Sequence, residues 1–467
     1  MQKNRTYIKS TSEKVGSVVT IMGWVNTKRD HGKVTFIDLR DITGIVQCVG
    51  INMLSDLGSE DVVKIKGIVK KRPQGLINEN VLLGDIEIEV QSYEILNKCR
   101  ELPIPIDTLG YEINEETRLR FRYLDLRRER MHKILKLRSE FIAHIRNYFL
   151  QNNFIEVETP LLTKSTKEGA RDFIVPSRFN PGKFYALPQS PQQYKQLLMT
   201  AGVERYFQFA KCIRDEDLRA DRGFEFTQLD MEMSFVERED VIEYINGLIL
   251  DTVKKVGGKL KTEEFPVFTY KEAIGKFGAD KFDLRTEDEK KENVLAFAWV
   301  VDFPFFKKVD KSDAAEVMDG KSGYTFTHNP FSMPKNEDLK KHLENKDIEE
   351  IKTTQYDLVC NGYEVGGGSI RAHKSEILKA TYKIMGYSEK ETIDSVGHML
   401  EAFDLGTPPH GGIALGVDRL IMLLVGETSL KETIAFPMTS SGKTSVMDAP
   451  SKVDKKLLDE LSLQIKE

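Results

Sequence analysis

A densely charged segment lies between two stretches of alternating apolar and polar residues near the middle of the chain. Residues 214–222 read Arg-Asp-Glu-Asp-Leu-Arg-Ala-Asp-Arg, so arginines and acids are interleaved. The flanking residues 206–209 and 224–235 alternate as half-buried strands do, which predicts two antiparallel strands joined by the charged loop. Arginine binds phosphate and carboxylate groups through paired hydrogen bonds, so the loop is a candidate site for an anionic ligand. A solvated, salt-bridged hairpin is the alternative.

Two later segments combine glycine with charged residues in a way that suits a nucleotide. Residues 357–371 begin with Asp357, contain Glu364 and three successive glycines, and end with Arg371. Along a predicted strand, the two carboxylates could share a divalent ion, and the glycines would let a ligand approach the backbone. Residues 411–424 pass from a glycine-bearing strand into an apolar helix, which places Arg419 near the helix start, a position suited to phosphate oxygens. The first of these segments, residues 357–371, lacks the spacing of a Rossmann or P-loop motif.

Further candidates lie outside these segments. Residues 165–172 are polar and contain glycine, as expected of a loop that closes over a substrate. Gln192 and Lys195 fall one helical turn apart, directly after a proline start. His328 stands at a predicted strand end, although a lone histidine is more often structural than functional.

The N-terminal part of the chain predicts a small β-barrel. The predicted strands are residues 18–25, 34–39, 44–49, 61–69 and 86–90. Five short strands in this length suit the OB-fold. Phe36 lies among basic residues, and residues 64–72 are basic without an acid, a combination that binds a phosphate backbone and stacks on a base. The alternative is that Phe36 belongs to the core and the lysines only keep a sheet edge soluble.

Local composition divides the chain into regions. A Leu-Pro-Ile-Pro segment ends at Pro105, which predicts a domain at residues 1–105. Residues 106–130 are too polar for a core helix and are predicted to be a linker or hinge, and residues 446–467 a C-terminal extension. The second domain, residues 131–445, contains a charged connector near residues 285–296. It begins with an amphipathic helix over residues 134–149 and a strand over residues 154–160, which pack either within their own domain or on a second copy.

Composition describes a globular protein of the cytoplasm. The formal net charge is −5 and the hydrophobic content 40%, enough for a large core. The four cysteines are scattered and the histidines lack ligand spacing, which favours a reducing compartment and argues against structural zinc. No presequence is recognisable, and no apolar run approaches the roughly 18 residues of a membrane span.

Taken together and in order, these segments resemble the class II aminoacyl-tRNA synthetases, specifically the aspartyl enzymes of bacterial type. Residues 214–222 followed by 225–230 resemble motif 2, residues 416–419 resemble motif 3, and the helix and strand ending at Pro160 resemble motif 1. Residues 168–172 are similar to the flipping loop of that family, and residues 189–192 to its amino-acid site.

The resemblance implies an N-terminal OB-fold that reads the anticodon. An α+β catalytic domain, with an antiparallel sheet and flanking helices, follows it along the chain. The resemblance also implies a homodimer, ATP and Mg²⁺, and L-aspartate and tRNA(Asp) as substrates. The implied ATP contacts are Arg214, Asp215, Glu216, Gly223, Glu364, Gly416, Val417, Asp418 and Arg419, of which Arg214 and Arg419 are the catalytic arginines. The implied aspartate contacts are Glu168, Gln192, Lys195, Arg214, Asp230, His328 and Arg371. The implied tRNA contacts are Arg29, His31, Phe36, Gln47, Arg72 and Arg222, and the implied metal ligands are Asp357 and Glu364.

The chain departs from the family pattern at several points. Residues 285–296 stand where bacterial relatives have a large insertion domain. Gly223 replaces a common glutamine, and Asn329 replaces a common second histidine. His31 resembles the nondiscriminating subgroup, which also charges tRNA(Asn). Asparaginyl and lysyl enzymes share the architecture, and a tRNA-independent paralogue is the more distant alternative, although this chain keeps the anticodon domain and motif arginines that such paralogues commonly lose.

Overall fold

The computed structural model describes residues 5–79, 82–166, 168–309 and 321–466. The chain divides into two compact units, Met1–Pro105 and Ile106–Glu467. Across the described ranges, no helix combines the length and the apolar character needed to cross a bilayer.

The first unit is a closed five-stranded barrel. Its strands are β1 (Val18–His31), β2 (Val34–Asp41), β3 (Gly44–Ile51), β4 (Val62–Lys71) and β5 (Ile86–Asn97). They follow the order β1-β2-β3-β5-β4, with β3 and β5 parallel and the other neighbours antiparallel. The predicted OB-fold is therefore confirmed. Strand β1 is longer than predicted because its polar end, which has no apolar alternation, still pairs with β2 as far as His31.

Strand β2 settles the orientation of Phe36. Burial alternates along this strand, so that Thr35, Ile37 and Leu39 face the barrel interior. Phe36 lies on the opposite, outer face and is only partly buried. The alternative that Phe36 belongs to the core is therefore wrong.

The second unit is built on an eight-stranded sheet of order β12-β14-β17-β18-β19-β10-β9-β6. The strands of this unit are β6 (Ile155–Glu156), β7 (Ile174–Pro176), β8 (Phe184–Ala186), β9 (Arg205–Ile213), β10 (Glu225–Ser234), β11 (Lys259–Leu260), β12 (Val267–Thr269), β13 (Val294–Leu295), β14 (Phe297–Val301), β15 (Phe306–Lys308), β16 (Tyr324–Phe326), β17 (Tyr356–Cys360), β18 (Tyr363–Ile370) and β19 (His410–Gly416). The central pairs are antiparallel, and only the two edge pairs, β12 with β14 and β6 with β9, are parallel. The predicted α+β class is confirmed.

Helices cover this sheet. They are α1 (Glu115–Arg120), α2 (Arg122–Asp125), α3 (Glu129–Gln151), α4 (Gln192–Thr200), α5 (Arg238–Lys255), α6 (Tyr270–Phe277), α7 (Glu287–Lys291), α8 (Leu339–Glu344), α9 (Ser375–Ile384), α10 (Glu389–Asp404), α11 (Val417–Leu424) and α12 (Lys455–Glu460). Apolar residues spaced three and four apart on α3, such as Phe141, Ile145 and Phe149, pack in one core with those of α5 and α11. The helix predicted over residues 134–149 is thus part of α3. Of the strand predicted after it, only β6 forms.

Residues 106–130 are not the linker that their polarity predicts, because they belong to the second unit and form α1 and α2. Arg122 is fully buried, donates from Nε to the carbonyl of Ala435 at 3.0 Å, and pairs with the buried Asp125. Arg118 pairs in the same way with Glu432. The charges of this segment are therefore buried as hydrogen-bonded ion pairs, an arrangement that charge density alone does not distinguish from an exposed hinge.

The last two predicted regions, the connector and the C-terminal extension, contain little regular structure. The connector over residues 285–296 contains only the short α7 and β13, and the side chains of α7 are unburied. The C-terminal extension contains α12. Lys167 of the predicted closing loop lies outside the described residues.

Candidate active site

Two cavities that share residues lie over strands β10, β18 and β19. The larger has a volume of about 610 Å³, and the smaller has a volume of about 180 Å³. Glu168, Arg214, Gln228, His328 and Glu364 line both. A ligand with two joined parts could therefore occupy both cavities at once.

Arg214 lies where the two cavities meet. It follows β9 directly, and its backbone N–H donates to the carbonyl of Phe224 at 2.8 Å, which holds the two ends of the charged loop together. Its Nε donates to the carbonyl of Gln189 at 3.1 Å, and its guanidinium carbon is 5.1 Å from the ring centroid of Phe226. These contacts orient the guanidinium toward the boundary between the cavities.

Other residues of the charged loop differ in their placement. Glu216, Arg222 and Gly223 line the larger cavity, with 3.7 Å between Glu216 Oε2 and Arg222 Nη1. Asp215 does not line it; this residue pairs with Arg171 of the closing loop, from backbone N–H to carbonyl at 3.1 Å and between side chains at 3.7 Å. The structure thus brings together three of these four predicted contacts.

The start of helix α11 has two kinds of residue. Gly416, Asp418 and Arg419 line the larger cavity, where Arg419 Nη2 donates to Asp221 Oδ2 at 3.1 Å and Nη1 donates to the carbonyl of Glu364. Val417 is buried in the core. Asp418 accepts the backbone N–H of Thr227 at 2.8 Å and also pairs with Arg138, so it joins α11 to β10 and α3.

A buried charge network lies at the wall of the smaller cavity, which three of its four members line. Lys195 and Arg371 are only 1% and 2% exposed. Lys195 Nζ lies 2.9 Å from Asp230 Oδ1 and 3.0 Å from Glu232 Oε2, and Arg371 Nε donates to Glu232 Oε1 at 2.9 Å. Burial raises the pKa of Glu232, but Arg371 and Lys195 lower it more, so that the pKa is about 2. Glu232 therefore remains ionised and holds both cations in place. We call Lys195, Asp230, Glu232 and Arg371 the charge network.

Gly412 of β19 makes room for this network. A Cβ atom at this position would lie 2.1 Å from the carbonyl oxygen of Met231 and 2.3 Å from Glu232 Oε2. The carbonyl of Gly412 also accepts a hydrogen bond from Arg371 Nη2 at 3.1 Å. Only glycine fits beside the carboxylate.

Acidic and amide groups line the rest of the smaller cavity. Ser190 Oγ donates to Glu168 Oε2 at 2.7 Å, and Gln192 Nε2 donates to Gln196 Oε1 at 2.9 Å. Burial raises the pKa of Glu168, and burial also raises that of Asp230 against the opposing effect of Lys195. A ligand cation beside these two carboxylates would lower their pKa again and so favour their charged forms.

The predicted single strand over residues 357–371 is a hairpin, β17 and β18. The turn is made by Asn361 and Gly362, both with positive φ, a pair typical of tight hairpins. Asp357 Oδ2 lies 3.1 Å from His328 Nε2, and Asp357 Oδ1 accepts from Gln355 Nε2 at 2.8 Å. Burial lowers the pKa of His328, but the charge of Asp357 raises it more, so the net shift is upward.

The carboxylates of Asp357 and Glu364 are close together. A Cβ atom added to Gly367 would lie 3.0 Å from Asp357 Oδ1 and 3.4 Å from Glu364 Oε1. Among the described residues, no group of three or more His, Cys, Asp or Glu side chains could hold a metal. The pair nevertheless fits Mg²⁺, which binds through one or two carboxylates and takes its other ligands from water and phosphate.

The tRNA contacts implied by the resemblance lie on the outer face of the barrel, apart from Arg222. Arg29 lies 3.2 Å from both Asp38 Oδ1 and Gln47 Oε1. The rings of His31 and Phe36 meet edge to face at 5.8 Å. Arg72 Nε donates to the carbonyl of Ile86 at 3.1 Å. The barrel thus presents an aromatic pair beside a cation, as a base-stacking surface does.

Sequence reasoning missed several lining or supporting residues. Glu232 is the most important, and the sequence does indicate it. Gln228, Asp230 and Glu232 are two residues apart along β10 and therefore share one face. Phe226, whose ring lies beside Arg214, follows from the same alternation, because it shares this face with Gln228. Lys281, which lines the larger cavity, has no local signal because the chain reaches the site there through tertiary packing.

Comparisons with family models identify two regions. A model described as class II tRNA synthetases (D, K and N) matches residues 114–440. A model described as an OB-fold nucleic acid binding domain, of the tRNA anticodon type, matches residues 19–96. These ranges lie within the two units of the structure.

Full-length relatives are also similar. The chain is 37% identical to the aspartate–tRNA(Asp/Asn) ligase of Pelagibacter ubique over 603 aligned positions that include 100% of both chains. It is 36% identical to the aspartate–tRNA ligase of Staphylococcus carnosus over 590 positions, again 100% of both. Both alignments exceed the 467 residues of this chain, so both relatives contain residues without a counterpart here, as expected if an insertion domain is absent.

Solved structures share the fold. The asparaginyl-tRNA synthetase of Pyrococcus horikoshii, complexed with asparaginyl-adenylate, superposes with a TM-score of 0.73 at 23% identity and covers 94% of this chain and 99% of its own. The aspartyl-tRNA synthetase of Entamoeba histolytica superposes with a TM-score of 0.71 at 22% identity and covers 93% of this chain and 91% of its own. At these identities the likeness concerns the fold alone.

The charge network generates a prediction on stability. We expect Glu232→Gln to lower the free energy of unfolding by about 3 kcal/mol at about pH 7, because two buried cations lose their shared charge. The folded pKa of Glu232 is about 2, against an ordinary 4.5, so the stabilisation by its charge is complete above about 4.5 and is lost as the pH falls through about 2. Urea denaturation should therefore show a smaller difference between wild type and variant at about pH 3 than at about pH 7.

Glu243→Gln is the matched control, because Glu243 is exposed on α5. We expect a small effect of this change at both pH values. A loss of stability in Glu232→Gln that is the same at both would contradict the role of the charge.

Proposed function

The chain belongs to the class II aminoacyl-tRNA synthetases of the aspartyl, lysyl and asparaginyl group, and we propose that it is an aspartate–tRNA ligase. It attaches L-aspartate to tRNA(Asp) in two steps, through an aspartyl-adenylate, with ATP as the second substrate. The names of the full-length relatives support this reaction. The observation that carries the proposal is the position of Arg214 between a cavity large enough for a nucleotide and a smaller cavity with two buried cations.

Selection of aspartate follows from the charge network. Lys195 and Arg371 would bind the side-chain carboxylate of the substrate, while Glu168 and Asp230 would receive its ammonium group. Asparagine presents a neutral amide to the two cations, so that an NH₂ donor stands where one of them would meet a carboxylate oxygen of aspartate. Sites that bind through buried polar groups reject such analogues by roughly 10⁴-fold or more.

The first step joins the two cavities. The α-carboxylate of aspartate attacks the α-phosphorus of ATP, and diphosphate leaves. Arg214, between the cavities, would neutralise the charge that develops on the α-phosphate, and Arg419 would hold the γ-phosphate. Glu216 would contact the adenine. Positioning and charge neutralisation supply the catalysis, and no covalent bond to the protein is required.

The site accommodates a metal ion with the nucleotide. Asp357 and Glu364 would hold Mg²⁺, which neutralises phosphate charge when bound. In the second step, the 3′-hydroxyl of the terminal adenosine of the tRNA takes the aspartyl group and AMP leaves. Because aminoacylation serves the ribosome, we expect the protein to act in the cytoplasm.

The two units should respond differently to mutation. We expect Arg214→Ala to lower aspartate-dependent ATP–diphosphate exchange about a thousandfold or more, since it removes the charge at the reacting phosphate. We expect Phe36→Ala to weaken charging of tRNA(Asp) by about tenfold to a hundredfold, since one base loses its stacking partner, and to leave exchange unchanged.

Ile42→Ala is the control for the barrel, because Ile42 is 81% exposed in the turn between β2 and β3. It should change neither assay. Exchange that requires asparagine or lysine instead of aspartate would contradict the proposal, and so would exchange without any charging of tRNA, which would favour a tRNA-independent paralogue.

A second candidate function is charging of both tRNA(Asp) and tRNA(Asn). It is favoured by His31, which lies in edge contact with Phe36 on the barrel, and by the name of the Pelagibacter relative. The two purified tRNAs should be charged side by side. Aspartylation of tRNA(Asn) at a rate comparable to tRNA(Asp) would establish the wider activity, and charging of tRNA(Asp) alone would establish the narrower one.

We also propose a homodimer. Ile155 on the sheet edge, the neighbouring Leu161 and Leu162, and Ile174 on the β7–β8 hairpin are each more than half exposed. Several exposed apolar side chains on and after an edge strand are characteristic of an interface.

Light scattering should give a molar mass about twice the 53.3 kDa of the chain. We expect Leu161→Glu to shift the protein toward monomer, because burial of a carboxylate in an apolar interface is unfavourable. Leu405→Glu, at a position 76% exposed at the end of α10, is the control. A monomer in the wild type would reject the proposal.

A further inference from the structure

Lys281 is a cation of the larger cavity to which neither the motifs nor the proposed mechanism gives a role. It lies between α6 and α7, and the residue after it is firmly anchored. The carbonyl of Phe282 accepts the N–H of Gly362 at 3.0 Å, and its ring stacks on Phe277 with 4.0 Å between centroids. The backbone at Lys281 is therefore fixed beside the turn of the β17–β18 hairpin.

The side chain of Lys281 reaches the group of residues expected to bind polyphosphate. Its Nζ lies 2.8 Å from Glu364 Oε2, and the side chain remains 37% exposed toward the cavity. Arg419 donates to the backbone carbonyl of the same Glu364. Two cations on different elements thus contact the same residue, Glu364. A chain of phosphates bound by Arg419 would lie within reach of the flexible side chain of Lys281.

Glu364 has more than one possible partner. Its carboxylate lies near that of Asp357, as the space around Gly367 shows. A divalent cation bound to these carboxylates would repel an ammonium group already paired with Glu364. Asp357 has His328 and Gln355 as its partners, whereas Glu364 is paired with Lys281.

From this geometry we infer that Lys281 is a phosphate-binding residue that exchanges partners. Without nucleotide, its ammonium neutralises Glu364. When ATP enters with its metal ion, the ammonium leaves Glu364 and binds the oxygens of the β- and γ-phosphates beside Arg419. The inference deepens the proposed function and rests on it for the identity of the nucleotide. A purely structural ion pair between Lys281 and Glu364 is the competing explanation.

Binding experiments without amino acid or tRNA separate the two explanations. Isothermal titration with ATP and Mg²⁺ should show about tenfold to a hundredfold weaker binding for Lys281→Met, the loss expected for one charge-assisted hydrogen bond. Lys281→Arg should recover most of the affinity, because it retains a cation on a long stem. Lys271→Met, at an exposed position of α6, should bind like wild type.

A second titration uses Mn²⁺ alone as a probe of the carboxylates. If Lys281 competes for Glu364, Lys281→Met should bind Mn²⁺ more tightly than wild type while it binds ATP more weakly. Weaker binding of both ligands would show that Lys281 only orients Glu364, and unchanged ATP affinity would show that it does not touch phosphate. Either result would overturn the inference.

Failure of the proposed function can be distinguished from failure of the inference on Lys281. Wild-type protein that binds ATP but lacks aspartate-dependent exchange would contradict the proposed function and leave the titrations of Lys281 valid. Wild-type protein that does not bind ATP would reject both. Should Lys281→Met fail to fold, Lys281→Gln removes the same charge with a side chain that suits a partly exposed position, and the same criteria apply.

Discussion

The smaller cavity depends on the requirement that charge be balanced where water is excluded. Lys195 and Arg371 could not remain charged at 1% and 2% exposure without anions beside them. Glu232 supplies that balance, since its two oxygens face both cations. The charges of the pocket thus stabilise one another. The side-chain carboxylate of a bound aspartate would be a further acceptor for both cations.

This balance constrains the fold, because its members come from separate elements. Asp230 and Glu232 share one face of β10, while Lys195 lies on α4 and Arg371 directly follows β18. A shift of one residue in the pairing of β10 with β19 would turn both carboxylates to the other face of the sheet. The hydrogen bond from Thr227 to Asp418 and the ion pair of Asp418 with Arg138 tie β10 to α11 and α3. Asp418 therefore contributes to the site by holding the sheet, whatever else it contacts.

The sequence predicted those parts of the structure in which one local signal dominates. Strands of the barrel and helix α3 have clear apolar periodicity, and the strands beside the charged loop alternate over part of their length. Residues 106–130 were mispredicted because a high density of charge looks the same whether it is solvated or buried in ion pairs, and only the partners, such as Glu432, tell these apart. The hairpin of residues 357–371 could have been predicted, because Asn361-Gly362 between apolar stretches is itself a hairpin signal. Lys281 could not be found from spacing, since its neighbours in the cavity are distant in sequence.

The space around Gly412 has a consequence for attempts to redirect the enzyme toward other amino acids. A side chain at this position would collide with the carboxylate that holds the pocket cations and with the backbone of the adjacent strand. Random libraries that diversify the pocket should therefore keep this codon fixed and vary the charged residues as a set, since removal of any one charge leaves the others unbalanced. We expect new substrate specificities from simultaneous replacement of several charged residues, with Gly412 left unchanged.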